Sequence, residues 1–166
     1  SARHPSRCAV RKRAAASTVH RQARPDLRQS TRREASAKKA SLVTTLDQIM
    51  TVMDEAFEPH WGEAWTRKQV AGSLAMPHTY ALLIDSTGSL ALTAGIREPA
   101  GFALIRRAPG EEELLLVGVR PRFRRHGLGR KLLEAFFSQA RQSGADRVFL
   151  EMRANNPARS LYAALG

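Results

Sequence analysis

Cysteine is almost missing from this chain: Cys8 is its only one. That excludes an intrachain disulfide framework, and it leaves residues 42–166 without a thiol nucleophile. A lone cysteine fits a reducing, cytoplasmic compartment. Long apolar runs are also missing. The longest stretches are broken by Asp85 and by turns, so no membrane-spanning helix is expected. Acidic residues are scarce, but unevenly so. Residues 1–41 carry twelve Arg or Lys against Asp26 and Glu34, while residues 42–166 carry fifteen against thirteen. The high isoelectric point therefore belongs to the N-terminal segment, and the rest of the chain is nearly neutral.

Residues 114–166 carry most of the information. Leu114-Leu115-Leu116-Val117-Gly118-Val119 reads as a strand, apolar enough to predict burial on both faces. A basic loop, Arg120 to Gly129, follows. Leu128, Leu132, Phe136 and Ala140 then recur at steps of four, flanked by Leu133 and Phe137. This predicts one apolar helix face, with Gly144 as its C-terminal cap. Val148 to Met152 reads as a second strand. Strand, helix and strand together predict a right-handed parallel crossover.

The helix opens with Arg130 and Lys131, although cations at a helix N-terminus oppose its dipole. An anion at that end removes the conflict. Gly127 and Gly129 leave backbone N–H groups able to converge on a phosphate, with Arg120, Arg122, Arg124 and Arg125 close by. The alternative is a solvated basic loop with two turn glycines. A Rossmann dinucleotide site is rejected, because Leu132 stands where a third glycine is needed and the strand ends several residues before Gly127.

At these residues the sequence resembles the GNAT family of acetyl-coenzyme A-dependent N-acetyltransferases. Arg124-x-x-Gly127-x-Gly129, after a strand ending in Val119, is similar to that family's coenzyme pyrophosphate loop. Leu150-Glu151-Met152-Arg153-Ala154-Asn155, followed by Ala158-Arg159-x-Leu161-Tyr162-x-x-Leu165-Gly166, resembles the RimI branch, which acetylates the N-terminal alanine of a small-subunit ribosomal protein. The resemblance implies an α/β (α+β) fold: a mixed, mostly antiparallel sheet around a central βαβ unit. It implies acetyl-coenzyme A as co-substrate and no metal. It assigns Val117, Val119, Arg124, Arg125, His126, Gly127, Leu128, Gly129, Arg130 and Asn155 to the coenzyme, Glu151 as general base and Tyr162 as general acid. Two departures stand out. The step from Glu151 to Tyr162 is one residue shorter than in the RimI pattern, lacking a serine-like position before Asn155. The family pattern also continues past Gly166 with two more strands, so the chain is read as C-terminally incomplete, with an exposed sheet edge at Val148–Met152.

Upstream, residues 1–41 are rich in Arg, Ala and Ser and are expected to be a disordered tail or leader. A translated upstream extension, a transit peptide and a non-specific RNA-binding arm all fit that composition. The expected acetyltransferase domain is 42–166. Leu42 to Thr45 reads as a short strand. Leu46, Ile49, Met50, Met53 and Phe57 form a helical stripe, and Pro59-His60-Trp61-Gly62 breaks it. Thr66 caps a second helix running to about Met76. Tyr80–Ile84, Leu90–Ile96, Gly101–Ile105 and Glu113–Val119 read as an antiparallel meander. In the family the turn between the first two helices borders the acceptor. Phe57, Trp61 and Trp65 either line that mouth or staple the helix pair to the sheet.

The chemistry of amide formation needs a neutral amine. An α-amino group has a pKa near 8 and a lysine about 10.4, so an N-terminus needs little help. Glu151, on an otherwise apolar strand and on the same face as Phe149, would be partly desolvated and hence a better base; its alternative is a strand-end carboxylate paired with Arg147 or Arg153. Asn156 and Pro157 suit the start of a last helix. Leu161 and Leu165 share that helix's buried stripe, and Tyr162 lies about 100° around from Leu161, able to protonate a departing thiolate. Otherwise Tyr162 merely packs and Asn155 satisfies its loop. The expected acceptor is a ribosomal protein N-terminus. A lysine, polyamine or small amine is the alternative within the class, and a non-catalytic RNA- or ribosome-binding module the alternative outside it.

Overall fold

The computed structural model describes residues 27–58, 62–92, 96, 98–151 and 159–163. Helix α1 spans Leu27–Ala56 and α2 spans Arg67–Ala75. Strands β1 (Thr79–Asp85), β2 (Leu90–Ala91), β3 (Pro99–Ala108) and β4 (Glu111–Val119) follow. A short 3₁₀ turn at Pro121–Phe123 leads into α3 (Leu128–Gln142), then β5 (Arg147–Leu150) and α4 (Arg159–Ala163).

The strands form one sheet in the order β2-β1-β3-β4-β5. Every pairing is antiparallel except β4 with β5. Side chains alternate across β1 and β3, and both faces are covered. Ala81, Leu83, Phe102 and Leu104 meet Ile49, Val52 and Met53 of α1 and Val70 and Leu74 of α2. Leu82, Ile84, Ala103 and Ile105 meet Leu128, Leu132, Leu133 and Phe136 of α3 on the other side. Continuous apolar runs in β1 and β3 follow from burial on two faces. α3 buries the four-step stripe its sequence predicts. Gly144, at φ 75°, ends the helix, and the Ala145 N–H donates back to the Ala140 carbonyl at 3.0 Å.

Several expectations need correction. Leu42–Thr45 is not a strand but lies inside α1. Thr45 is buried one turn before Ile49, so helical periodicity overrides the β-branched local pattern. The same helix starts at Leu27, within the stretch expected to be disordered; Ala, Arg, Lys and Gln there are strong helix formers, although residues 31–34 are exposed. Residues 1–26 lie outside the described residues. Of the strand expected over Leu90–Ile96, the described residues show β2 at Leu90–Ala91; Leu92 and Ile96 lie outside it, and residues 93–95 lie outside the described residues. The Asp85 carboxylate gathers the N–H groups of Thr87 and Ser89 into a tight turn, and of the residues that follow, Ala91 packs on the α1-side core while Leu90 and Leu92 are exposed. β4 is buried on both faces only in part, because Leu115, Leu116 and Val117 are half-buried.

Candidate active site

β4 and β5 pair only from Glu111↔Arg147 to Leu114↔Leu150. β4 then runs on to Val119, still paired with β3 but, among the described residues, without a strand neighbour on its β5 side. At about 3.3 Å per residue this opens a gap roughly 16 Å long. The half-burial of Leu115 to Val117 is the consequence.

The basic loop and α3 close one end of this gap. Gly127 is the residue before α3, in the left-handed region at φ 78°, and no side chain caps the helix. The first backbone N–H groups of α3 are therefore available to an anion. Arg125 also sits at φ 66°, a conformation costing about 1–2 kcal/mol for a residue with a Cβ. Arg125, His126 and Gly127 are exposed, while buried Leu128 anchors the helix start beneath them. The other cations are largely committed. Arg120 is buried against Glu55, Glu98 and the Pro99 carbonyl. Arg122 meets Glu98 at 2.7 Å, and Arg130 meets Glu134 at 2.8 Å one turn along the helix. Arg124 donates to the carbonyls of Val119 and Ala56 at 2.9 and 2.7 Å.

The gap leads into a cavity of about 470 Å³. Its floor is Leu114 to Val117 of β4 with Leu150 of β5. Its walls are Phe57, Gly62, Glu63 and Trp65 from the α1–α2 connection, with Glu151 and Tyr162 opposite. Thr66 fixes that connection through a reciprocal capping box with Gln69. Tyr162 is half-buried among the α3-side core residues. Burial raises its phenol above the ordinary value, and the Glu63 carboxylate pushes in the same direction. Glu151 follows the last ladder residue and is exposed, not desolvated as its strand position suggested.

The structure thus gathers Val117, Glu151 and Tyr162 on one cavity, and sets Val119 and Arg124 to Arg130 at the loop end of the gap. Asn155, Trp61, Asn156 and Pro157 lie outside the described residues. Phe57 and Trp65 each line the cavity and also pack against the α1-side core, as the stapling alternative expected. Glu63 was missed. Its signal was a lone carboxylate between Gly62 and Trp65, in the turn expected to border the acceptor. Among the described residues no group of three or more His, Cys, Asp or Glu is placed to hold a metal ion, and no helix is long and apolar enough to cross a membrane.

Comparison with known proteins gives the same picture. The chain is 40 % identical over 79 residues to the [ribosomal protein bS18]-alanine N-acetyltransferase of Salmonella typhimurium, covering 47 % of this chain and 53 % of that protein. It is 33 % identical over 105 residues to the N-alpha-acetyltransferase RimI of Mycobacterium tuberculosis, covering 63 % of this chain and 61 % of that protein. The chain thus spans little more than half the length of these relatives. The crystal structure of the Escherichia coli ribosomal-protein-S18-alanine N-acetyltransferase superposes with a TM-score of 0.58 at 26 % identity, over 73 % of this chain and 70 % of that one. An N-acetyltransferase from Thermoplasma acidophilum solved in complex with coenzyme A shares the fold at a TM-score of 0.51 and 13 % identity, over 75 % and 79 % of the two chains. The acetyltransferase (GNAT) family model matches residues 46–166, well over half of the sequence, and the chain belongs to that family.

Proposed function

We propose that this chain transfers an acetyl group from acetyl-coenzyme A directly to an amine, and that the amine is the N-terminal alanine of a ribosomal protein in the cytoplasm. The observation that carries the reading is the uncapped start of α3, opening onto the β4–β5 gap that ends at Tyr162 and Glu151. The gap suits an extended thioester whose diphosphate sits on the amides of Gly127 to Arg130 beside Arg125 and His126. The thioester supplies an activated acyl carbon. Asn155 is assigned to the coenzyme arm by resemblance alone.

Glu151, open to solvent, accepts the amine proton directly or through one water. Tyr162, kept protonated by burial, holds the proton that the departing sulfur needs. The new C–N bond and the broken C–S bond then balance with one proton taken by Glu151 and one given by Tyr162. The ribosomal acceptor rests on the names of the relatives. The cavity supports an amine more generally, since Glu63 and Glu151 are among the residues that line it.

The test incubates the chain with acetyl-coenzyme A and three acceptors: a peptide beginning with alanine, the same peptide N-terminally blocked and carrying an internal lysine, and a polyamine. Mass spectrometry reads the gain of one acetyl group. Transfer to the free alanine peptide alone is expected. Transfer only to the lysine peptide or the polyamine replaces the acceptor and keeps the reaction. No transfer to any, together with no thermal stabilisation by coenzyme A, overturns the proposal.

A further inference from the structure

We propose that Arg124 is a positioning residue that ties the coenzyme loop to the wall of the acceptor cavity, so that occupation of the loop is felt at Phe57 and Trp65. This rests on the reading above. The resemblance places Arg124 among the coenzyme contacts, yet its guanidinium, on an exposed residue, is engaged by two backbone carbonyls. Nε donates to the carbonyl of Val119, the last residue of β4, and Nη2 to that of Ala56, the last residue of α1. Arg120 holds the preceding residue, Glu55, through Nε at 2.9 Å and through Nη2. Two arginines from one loop therefore clasp two successive residues of the last turn of α1. The C-terminal carbonyls of a helix lack partners within the helix, and cations are favoured there, so Arg124 both satisfies Ala56 and fixes where the helix stops.

Phe57 is the next residue. Its ring packs against Phe102, with centroids 6.5 Å apart, and lies over Gly118 so closely that a Cβ there would come within 2.9 Å of it. Phe57 has little room to move except with the backbone of Ala56, and it lines the cavity together with Trp65. A shift of the 124–127 loop onto a diphosphate is thereby passed through Arg124 to the acceptor wall. Arg125 differs. It is exposed in the left-handed region with no ion pair among the described residues, which leaves it to meet the phosphates.

The chain carries a built-in reporter, because its two tryptophans, Trp61 and Trp65, both lie in the connection just beyond this clasp. The experiment titrates coenzyme A into the wild type, Arg124→Gln, Arg124→Lys and Arg125→Gln. Calorimetry gives the affinity and tryptophan emission gives the response. An alanine-terminated peptide then gives KM and kcat. The wild type is expected to change its emission at saturation. Arg124→Gln should keep coenzyme affinity within about twofold, lose that change, and raise the peptide KM about fivefold or more, the lower range of coupling between linked sites. Arg124→Lys, able to reach one carbonyl but not both, should fall between. Arg125→Gln should weaken coenzyme binding yet keep the full emission change once saturated. A tenfold loss of coenzyme affinity in Arg124→Gln with its emission change intact would make Arg124 a phosphate ligand and overturn the proposal. A wild type that binds coenzyme A without any emission change overturns it too. A wild type that binds no coenzyme A removes the acetyl-transfer reading as well.

Discussion

Two forces act in the same direction on Tyr162. Burial disfavours its phenolate, and the nearby Glu63 carboxylate repels the same negative charge. A phenol that resists ionisation is well kept as a proton donor, and it leaves its mark on stability. The unfolded chain releases this proton at the ordinary phenol value, while the folded chain holds it to higher pH. Folding stability therefore falls as pH rises through about 10 and beyond. Tyr162→Phe keeps the ring in the α3-side core but removes the hydroxyl. Turnover at saturating substrates should fall by roughly 10²-fold or more, with little change in coenzyme affinity. The alkaline fall in stability, read by urea unfolding, should become shallower. A variant with full turnover would leave Tyr162 as a packing residue. Glu63→Gln removes one of the two forces, so the alkaline limb of kcat/KM should move to lower pH.

The helices and strands show where local pattern suffices. α3 is legible because every fourth residue faces one core, the Thr66 cap because it bonds within three residues, and Gly144 because only a left-handed residue ends that helix so. The loop cations were legible as a cluster but not in their roles. Arg120 meets Glu55 from 65 residues away and Arg122 meets Glu98 from 24, and no spacing rule reaches so far. A second set of long-range partners was equally hidden. Glu112, fully buried at the start of β4, accepts from Tyr80 of β1 at 2.7 Å, from Arg107 of β3 at 2.6 Å, and from Ser143 at the end of α3 at 2.7 Å. It pins the far end of the helix whose near end is proposed to hold the coenzyme. Burial pushes its carboxyl upward, but the hydrogen bonds from Tyr80, Ser143 and Arg107 outweigh this and hold it below its ordinary value. Its stabilisation is thus present above the ordinary carboxylate range and lost as pH falls through the lowered folded value. Glu112→Gln should cost about 2–3 kcal/mol at neutral pH. That is less than the roughly 3–5 expected for breaking a wholly buried pair, since Arg107 can turn to water. Chemical denaturation from neutral to acid pH checks this: the gap between variant and wild type should close as the pH drops.

Across the whole molecule the sheet is asymmetric. Its β1 and β3 interior is covered by α1 and α2 on one face and α3 on the other, while its two edges differ in what they present. β2, Leu90–Ala91, pairs with β1 alone among the described residues. β5 is the other edge. Among the described residues no strand pairs with its outer side, and Val148 and Phe149 are 38 % and 46 % exposed. Unpaired backbone groups beside large apolar side chains invite a second chain to add a strand. The 166-residue chain should therefore self-associate in a concentration-dependent way. Phe149→Lys should suppress this, because a lysine on an edge strand must be desolvated for a neighbour to dock. Phe149 is too exposed for its loss to open a cavity in the core, so the melting temperature should change little. Light scattering across a dilution series, alongside thermal unfolding, separates the outcomes. If the lysine variant associates as strongly as the parent, β5 is not the adhesive edge, and if it unfolds much earlier, Phe149 supports the fold rather than a contact between copies.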